Sequence, residues 1–211
     1  MFYQENMDEA LRFGDVVKGF IITTPNINKP FSTMISEDYS IEINMPTFSV
    51  VVSPCCSIGD KIISLTPLIK LRNTFFDNPF FQDDLTRINR QMEPENTLPP
   101  DVWKKLSDDE REKRLEKGLG YAFLELFIYE QNDLFPKYTI HRKRGDIETN
   151  YYMIDFRDTY KLNCEKIITP KNSPLDSKCL QLSVQTRAEL RDKISYYYAR
   201  VPQEDEIALG I

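Results

Sequence analysis

The chain has 211 residues, 41% hydrophobic and 28% charged, so it can form one large domain or one domain with an inserted subdomain. Its formal net charge of −6 argues against general coating of nucleic acid, which needs clustered lysine and arginine, but does not exclude a local basic groove. No apolar run approaches the roughly 20 residues of a membrane helix, and the acidic N-terminus does not resemble a signal peptide. Four cysteines are too few for a disulfide scaffold. We therefore expect a cytoplasmic protein without membrane contact.

The N-terminal part of the chain is predicted to form strands. A turn at Gly14 and Asp15 precedes a strand-like run at residues 16–22. Residues 39–45 alternate between apolar and polar side chains, and this period of two predicts a half-buried strand with one face in the core and one in water.

Two paired strands are predicted next, and their ends form a candidate site. Residues 50–52 are three consecutive valines, which is typical of a strand buried on both faces, and residues 62–65 are predicted to pair back on them. Pro54 and Pro67 each lack a backbone donor and end these strands. The strand ends carry small polar side chains, namely Ser53, Ser64 and Thr66.

The β pattern is interrupted between residues 73 and 120. A short helix is predicted at residues 78–91, and one or two more are predicted at residues 100–117, where Ser107 and Glu110 form a capping-box pattern. We therefore expect a helical insertion that divides the chain into residues 1–72, 73–120 and 121–211.

The C-terminal part is predicted to return to strands and to end in a helix. Residues 137–140 and 151–162 are predicted to pair as a hairpin around the basic run 141–146, and residues 180–184 are predicted to form the last strand. A capping-box pattern at Thr186 and Glu189 predicts the start of a helix that ends before Pro202. Its apolar stripe should be buried and consists of Leu190, Ile194, Tyr197, Tyr198 and Val201.

Three blocks of this chain resemble the MazF/PemK family of bacterial ribonuclease toxins. They are the Gly-Asp-Val-Val run at residues 14–17, the strand pair at residues 50–53 and 62–67, and the strand and helix at residues 180–201. The resemblance implies an α+β fold with an SH3-like β-barrel core, here with a helical insertion and a C-terminal helix. The insertion and the β region at residues 121–162 have no counterpart in the family.

The chain departs from the family pattern at the position that matters for catalysis. The toxins carry an Arg-Pro pair before the valine strand, whereas this chain has Pro46, Thr47 and Phe48 there. In the family, an arginine and a nearby hydroxyl act in RNA cleavage, and the resemblance supplies only the hydroxyl here, from Thr66 or Ser64.

MazF-like proteins also resemble parts of phage-defence systems, including substrates of CRISPR-linked proteases, in which the domain binds and does not cut. The resemblance therefore implies a divergent protein-binding or regulatory module of a bacterial defence or toxin–antitoxin system, without nuclease activity. A partner or substrate of a CRISPR-linked protease is one example. We expect a protein partner, an RNA partner remains an alternative, and the sequence gives no sign of a DNA partner.

The alternative function is a sequence-specific endoribonuclease that cuts single-stranded RNA. It would use Thr66 or Ser64 as the hydroxyl and Arg142 or Arg144 as the cation. This hypothesis requires the hydroxyl and the guanidinium to lie within about 6 Å of each other around one cleft.

The basic run has two interpretations. His141, Arg142, Lys143 and Arg144 could hold phosphates of RNA, and nearby tyrosines could stack on unpaired bases, namely Tyr138, Tyr151 and Tyr152. The commoner role of such a short charged run is a hairpin tip that faces water, and we prefer this second interpretation.

No metal or cofactor site is predicted. Cys55 and Cys56 are adjacent and lack the spacing of a zinc site, so a site with Cys164, Cys179 and His141 would need tertiary coincidence. We expect the cysteines to be small buried apolar residues. The sequence contains no phosphate-binding glycine loop. We do not expect a site at the remaining candidates. Asp155, Asp158 and Glu165 should face outward, and Tyr196, Tyr197 and Tyr198 should lie in the core and at its rim.

Overall fold

A computed structural model of the chain describes residues 1–27, 39–54, 57–58, 62–77, 85–90, 97–98, 100–117, 119–121, 123–142, 145–163 and 177–199. Its strands are β1 (Val16–Lys18), β2 (Ile22–Ile27), β3 (Tyr39–Asn44), β4 (Phe48–Val51), β5 (Ile62–Pro67), β6 (Ile69–Lys70), β7 (Thr97–Leu98), β8 (Gly120–Tyr121), β9 (Leu126–Tyr129), β10 (Tyr138–Ile140), β11 (Ile147–Thr149), β12 (Tyr152–Asp155), β13 (Tyr160–Asn163) and β14 (Lys178–Leu180). Its helices are α1 (Thr74–Asp77), a 3₁₀ helix (Leu85–Asn89), α2 (Pro100–Trp103), α3 (Asp108–Glu116) and α4 (Val184–Ala199).

The predicted α+β class is confirmed, with mostly antiparallel sheets. The described strands form one five-stranded, one three-stranded and three two-stranded sheets, and no closed barrel is found among them. In the described part of the chain, no helix has the length and apolar character needed to cross a membrane.

The five-stranded sheet contains the two strands that the sequence predicted most clearly. Its order is β13-β5-β4-β1-β14, and all its pairs are antiparallel. Val50 lies opposite Thr66 and Val51 opposite Leu65, so the predicted pairing of the valine run with residues 62–65 is confirmed. All four of these side chains are buried, as expected for β-branched and apolar residues in a central pair of strands.

Glycine shapes both ends of β1. The predicted strand at residues 16–22 is interrupted after Lys18, because Gly19 has a φ of 81° that extended strands do not adopt. The predicted turn at Gly14 is confirmed, and its φ is 85°. A Cβ atom at Gly14 would lie 2.7 Å from Cδ1 of Leu182, so the end of the Leu182 side chain would have to shift to admit one.

The three-stranded sheet lies between two hydrophobic cores. Its order is β6-β12-β9, and every residue of β9 and β12 is buried. Successive side chains on a strand point to opposite faces. Phe127, Tyr129 and Ile154 therefore join the first core with β1, β4 and α4, whereas Ile128 and Met153 join the second core with the helices between β6 and β8.

The predicted hairpin between residues 137–140 and 151–162 is wrong. β10 pairs with β11 at residues 147–149, and residues 151–162 divide into two strands, β12 and β13. β12 pairs with β9 and β6, and β13 pairs with β5. The apolar side chains of β12 need cover on both faces, which the interior position supplies and an exposed hairpin would not.

The region between residues 73 and 120 is largely helical where it is described. The capping box at Ser107 and Glu110 is confirmed at the start of α3. The predicted helix at 78–91 is described only from residue 85, where the 3₁₀ helix buries Leu85 and Ile88. The side chain of Asn89 makes two 2.7 Å hydrogen bonds with the backbone of Ile128, accepting from its N–H and donating to its carbonyl.

The C-terminal helix begins earlier than predicted. The hydroxyl of Ser183 accepts a 3.2 Å hydrogen bond from the backbone N–H of Thr186, and Thr186 itself is buried. The predicted cap at Thr186 is therefore wrong, because Ser183 occupies the capping position. The predicted strand at 180–184 lies earlier as well, at Lys178–Leu180.

The apolar stripe of α4 packs on the first core for most of its length. Leu190 is fully buried, Ile194 and Tyr197 are half-buried against the core, and Tyr198 is 63% exposed. The predicted burial is thus confirmed for Leu190 and wrong for Tyr198, whereas Val201 and the predicted end at Pro202 lie outside the described residues.

Candidate functional site

The hydroxyl of Thr66 is enclosed within the protein. Thr66 on β5 is fully buried, and its Oγ1 lies 3.0 Å from Oγ1 of Thr159. The Thr159 hydroxyl donates a 3.1 Å hydrogen bond to the carbonyl of Phe156, so its only proton is used there. Thr66 therefore donates to Thr159. This arrangement satisfies both hydroxyls and presents neither proton to a substrate.

Ser64 lies on the same strand and is half-buried. Its Cα is in register with that of Lys161 on the neighbouring strand β13. The hydroxyl of the buried Ser53 accepts a hydrogen bond from the backbone N–H of Ser64. The polar residues at the end of the valine strand thus connect β4 to β5.

The tip between β10 and β11 holds the described part of the basic run. The side chain of His141 is 80% exposed, and its Nδ1 lies 3.0 Å from Oδ2 of Asp146. Arg142 donates a 2.9 Å hydrogen bond to the carbonyl of Phe76 and a 3.2 Å bond to that of Gly145. Lys143 and Arg144 lie outside the described residues. The described guanidinium thus holds the tip against α1.

The tyrosines beside this tip are part of the fold. Tyr138 donates a 2.5 Å hydrogen bond from its hydroxyl to the carbonyl of Tyr151, which is half-buried in the second core. Tyr152 is 6% exposed and donates a 3.0 Å hydrogen bond to the carbonyl of Pro136. Only a ring with an open face can stack on a base, and burial leaves Tyr152 without one.

The structure does not bring the predicted catalytic groups together in its described part. Thr66 and Ser64 lie on the five-stranded sheet, whereas Arg142 follows a strand of a separate two-stranded sheet. No described contact joins Arg142 to either hydroxyl. Arg144 lies outside the described residues, so the structure places only one of the two arginines of the alternative hypothesis, Arg142.

Asp155 was predicted to face outward, and this prediction is wrong. Its side chain is 4% exposed and lies 2.9 Å from Nη2 of Arg72 and 2.8 Å from Nε of Arg157. Burial by itself would raise the pKa of this carboxyl, but hydrogen bonds from Arg157 and the charge of Arg72 outweigh it and hold the pKa below its usual value. Asp158 is exposed as predicted, and Glu165 lies outside the described residues.

Asp15 is a second buried carboxylate, and the sequence did not indicate the polar cluster around it. Asp15 is fully buried, and its Oδ2 lies 2.9 Å from Nζ of Lys178. Burial raises the pKa of Asp15 despite this partner. Lys178 also donates hydrogen bonds of 2.7 Å to Gln181 and 2.8 Å to the carbonyl of Ala10. These bonds fasten the N-terminal segment to β14 and give the cluster a structural role.

The largest departure from the predicted core is on the β2–β3 hairpin. Ile41 and Ile43 are each 63% exposed, Met45 is 75% exposed and Ile21 is 56% exposed. The register places Ile43 opposite Thr23, and its continuation places Met45 opposite Ile21, so these four side chains lie on one side of the ribbon. We name them the hairpin face: Ile21, Ile41, Ile43 and Met45.

The prediction that the apolar side of residues 39–45 lies in the core is therefore wrong. β2 and β3 form their own two-stranded sheet, and neither pairs with another described strand. The ribbon meets the rest of the protein near its base, where Ile22 is buried and the hydroxyl of Thr24 lies 3.4 Å from that of Tyr160. The hairpin face points away from this contact.

Within the described residues, no group of three or more His, Cys, Asp or Glu side chains is placed to hold a metal ion. Cys179 is half-buried with its thiol 3.1 Å from the carbonyl of Ser177, and Cys55, Cys56 and Cys164 lie outside the described residues. The hairpin face is a group of four exposed apolar side chains within the described part of the chain.

We compared the chain with protein-family models, with curated proteins and with solved structures, and none of these comparisons finds a match. The resemblance to the MazF/PemK family consequently rests on the residues quoted for it above.

Proposed function

We propose that this chain is a protein-binding module of MazF-like ancestry with an SH3-like core, that it acts in a bacterial defence or toxin–antitoxin assembly, and that it has no nuclease activity. A CRISPR-linked protease is one candidate partner. The observation that carries the proposal is the hairpin face, whose four large apolar side chains are each more than half exposed.

An exposed cluster of this kind favours protein binding for a physical reason. Single exposed apolar side chains are common on protein surfaces, but contiguous groups of them mark interaction sites. Burial of an isoleucine or methionine side chain contributes about 1.5–3 kcal/mol. Four such side chains on one side of a ribbon therefore form a strong anchor for a partner with an apolar surface.

The surroundings of the candidate hydroxyls support the absence of nuclease activity. The Thr66 hydroxyl is buried and bonded to Thr159, and the guanidinium of Arg142 is bonded to two backbone carbonyls. Cleavage of RNA needs a positioned cation where charge develops on the phosphate. The described residues hold no cation against Thr66.

The proposal is tested by capturing partners with hairpin variants. The tagged wild-type chain, the double variant Ile41→Ser/Ile43→Ser and the control Val184→Ser are expressed in the native host, cross-linked and purified. Val184 is a matched control because it is 76% exposed and lies on α4, away from the hairpin. Both variants are expected to keep the wild-type Tm, because exposed substitutions change stability by less than about 0.5 kcal/mol.

We expect at least one protein to copurify with the wild-type chain and with Val184→Ser. Its yield should fall roughly tenfold with the double variant, and its affinity for the purified chain should fall in the same way. If all three proteins recover the same partners in the same amounts, the hairpin face does not bind them and the proposal fails.

A further inference from the structure

We propose that the outer edge of β3 binds an extended strand of the partner protein, and that this strand carries a basic residue between two apolar ones. The strand would extend the β2–β3 ribbon, with main-chain hydrogen bonds to β3 and apolar side chains beside the hairpin face. It specifies the kind of partner segment that meets this face, so the inference rests on the proposed function.

The outer edge of β3 is accessible. β2 and β3 pair only with each other among the described strands. Residues 40–45 are all exposed, so neither side of β3 is covered along this stretch. A strand edge in this position presents backbone N–H and C=O groups to solvent and is a template for another strand.

Pro25 determines which backbone groups of the ribbon face outward. It lies opposite Ile41 and has no N–H, so this pair cannot exchange two hydrogen bonds across the ribbon. Bonded and non-bonded pairs alternate along antiparallel strands. Ile41 and Ile43 are therefore both in non-bonded pairs, and their N–H and C=O groups point away from β2. The same two isoleucines contribute side chains to the hairpin face.

The outer edge of β2 is a poorer template for an added strand. Thr23 and Pro25 have the corresponding outward positions on β2. Pro25 cannot donate, and proline is a common protection of edge strands for this reason. β3 contains no proline or glycine, and its β-branched isoleucines suit a sheet. Of the two edges, β3 is thus the one that can accept a strand.

The size of the hairpin face favours an extended segment over a folded surface. A stable interface between two folded proteins involves roughly 20–30 residues on each side, whereas the hairpin face consists of four exposed side chains. Main-chain hydrogen bonds at a strand edge supply affinity without a large contact area, and alternate side chains supply specificity. An extended strand therefore fits both the open edge and the small apolar area.

Glu42 determines the charge expected on the added strand. It is exposed, and it lies between Ile41 and Ile43 on the opposite side of β3. Opposite charges at facing positions of two strands are stabilising, and like charges are destabilising. A lysine or arginine is therefore favoured opposite Glu42. In a second copy of this chain, the register that pairs Ile41 with Ile43 would place Glu42 opposite Glu42, so a different protein is the favoured occupant.

Peptides that differ at one position test the inference on the full chain. The first is Thr-Ser-Ile-Lys-Ile-Asn-Thr with both ends blocked. The second has glutamate in place of lysine and so repeats the sequence of residues 40–44. A third has the composition of the first but places its two isoleucines side by side. Fluorescence anisotropy should show roughly fivefold weaker binding of the second peptide and at least tenfold weaker binding of the third.

Hydrogen exchange measured by NMR locates the bound peptide. In the free protein, the amides of Ile41 and Ile43 should exchange faster than those of Glu42 and Asn44, which face β2. Saturation with the lysine peptide should slow exchange at Ile41 and Ile43 at least tenfold.

Two substitutions separate the strand edge from the hairpin face. Ile43→Pro and Ile43→Ala both shorten the side chain, but only proline removes the outward N–H. The lysine peptide should bind at least tenfold more weakly to Ile43→Pro than to Ile43→Ala. N-methylation of one isoleucine in the peptide removes a bond from the other strand and should weaken binding to the wild-type chain in the same way, whether or not Ile43→Pro folds.

Several results would overturn the inference. They are absence of binding by the lysine peptide, equal binding of the peptide with adjacent isoleucines, and binding that N-methylation does not change. Equal or tighter binding of the glutamate peptide, or protection of Ile41 and Ile43 that rises with protein concentration alone, would assign the edge to a second copy. The partner capture stays separable. Partners lost with Ile41→Ser/Ile43→Ser but recovered equally with Ile43→Pro and Ile43→Ala would keep the proposed function and reject the added strand.

Discussion

The ammonium group of Lys193 on α4 donates a 2.7 Å hydrogen bond to the carbonyl of Ile88, at a place from which solvent is excluded. Burial lowers the pKa of Lys193 from its ordinary value of 10.5 to about 7, and the charge of Glu125 opposes this shift only in part. The helix is thus joined to the 3₁₀ helix by an amine that burial drives toward its neutral form.

Lys193 should make stability increase with pH above neutrality. The unfolded chain holds the lysine proton up to about pH 10.5, whereas the folded chain releases it near pH 7. The contribution of Lys193 to the free energy of unfolding should therefore rise between these values by up to about 1.4 kcal/mol per pH unit and stay level below pH 7. Urea denaturation at pH 7, 8 and 9 measures this slope, and Lys193→Met should remove it.

The same variant gives a second readout at neutral pH. Lys193→Met should be more stable than the wild-type protein at pH 7 by about 1–4 kcal/mol, because it removes a charge that is buried without a bonded carboxylate. Burial also raises the pKa of Tyr129, so above the ordinary tyrosine pKa of 10.0 this residue would ionise in the unfolded chain and add its own pH dependence. The measurements therefore stop at pH 9. Equal slopes for the two proteins would contradict the assignment.

Asp155→Asn should destabilise the protein, and the loss should depend on pH. The change leaves Arg72 and Arg157 without their shared carboxylate, which should cost about 1–3 kcal/mol. Because the native pKa of Asp155 lies below its ordinary value of 3.8, this stabilisation is complete above that value and is lost as the pH falls through the native pKa.

Asp158→Asn is the matched control for this experiment. Asp158 lies three residues away and is exposed, so its substitution should change the free energy of unfolding by less than about 0.5 kcal/mol. Urea denaturation at pH 7 and near pH 3 compares the two variants. A loss for Asp155→Asn that is as large at the lower pH as at pH 7 would show that the charge is not the cause.

Leu190→Ala should cost about 2–5 kcal/mol, because Leu190 is fully buried where α4 meets the first core. The side chain of Val184 on the same helix is 76% exposed, so Val184→Ala should leave the free energy of unfolding nearly unchanged. Thermal unfolding of both variants checks the expectation. Indistinguishable Tm values would mean that α4 contributes little to the core.

We expect no cleavage of single-stranded RNA by the isolated chain. The reason is that Thr66 is buried with its hydroxyl committed to Thr159, and a lone hydroxyl is a poor base near pH 7. Incubation with a mixed-sequence RNA and analysis of fragment ends measures this, with Thr66→Ala and Arg144→Ala as comparisons. Sequence-specific fragments that disappear in either variant would replace the protein-binding proposal with the endoribonuclease alternative.

The sequence predicted elements whose cause is local. The valine run at residues 50–52, Pro54 after β4 and Pro67 at the end of β5 indicate the β4–β5 pair from residues that are close in the sequence. The capping box of α3 is likewise contained within Ser107 and Glu110. Such features depend on backbone preference and on neighbours within a few residues, which a single sequence displays.

The errors concern tertiary partners. The period of two at residues 39–45 shows that the two sides of β3 differ, but it does not say that either side meets the core, and residues 40–45 are all exposed. Asp155 is buried because Arg72 lies beside it, and these residues are 83 positions apart. Ser183 and Thr186 are both acceptable helix caps, and only the packing of Thr186 decides between them.

The side chain of Asn89 has a further consequence for the behaviour of this protein at high concentration. Its amide bonds to both the N–H and the carbonyl of Ile128, as a neighbouring strand would. β9 carries four consecutive buried apolar or aromatic residues, a composition that favours fibril formation when a strand edge is open to another molecule. Asn89 occupies the N–H and the carbonyl of Ile128 on this edge, which a strand of another molecule could otherwise bond. The same side chain joins the 3₁₀ helix to the sheet.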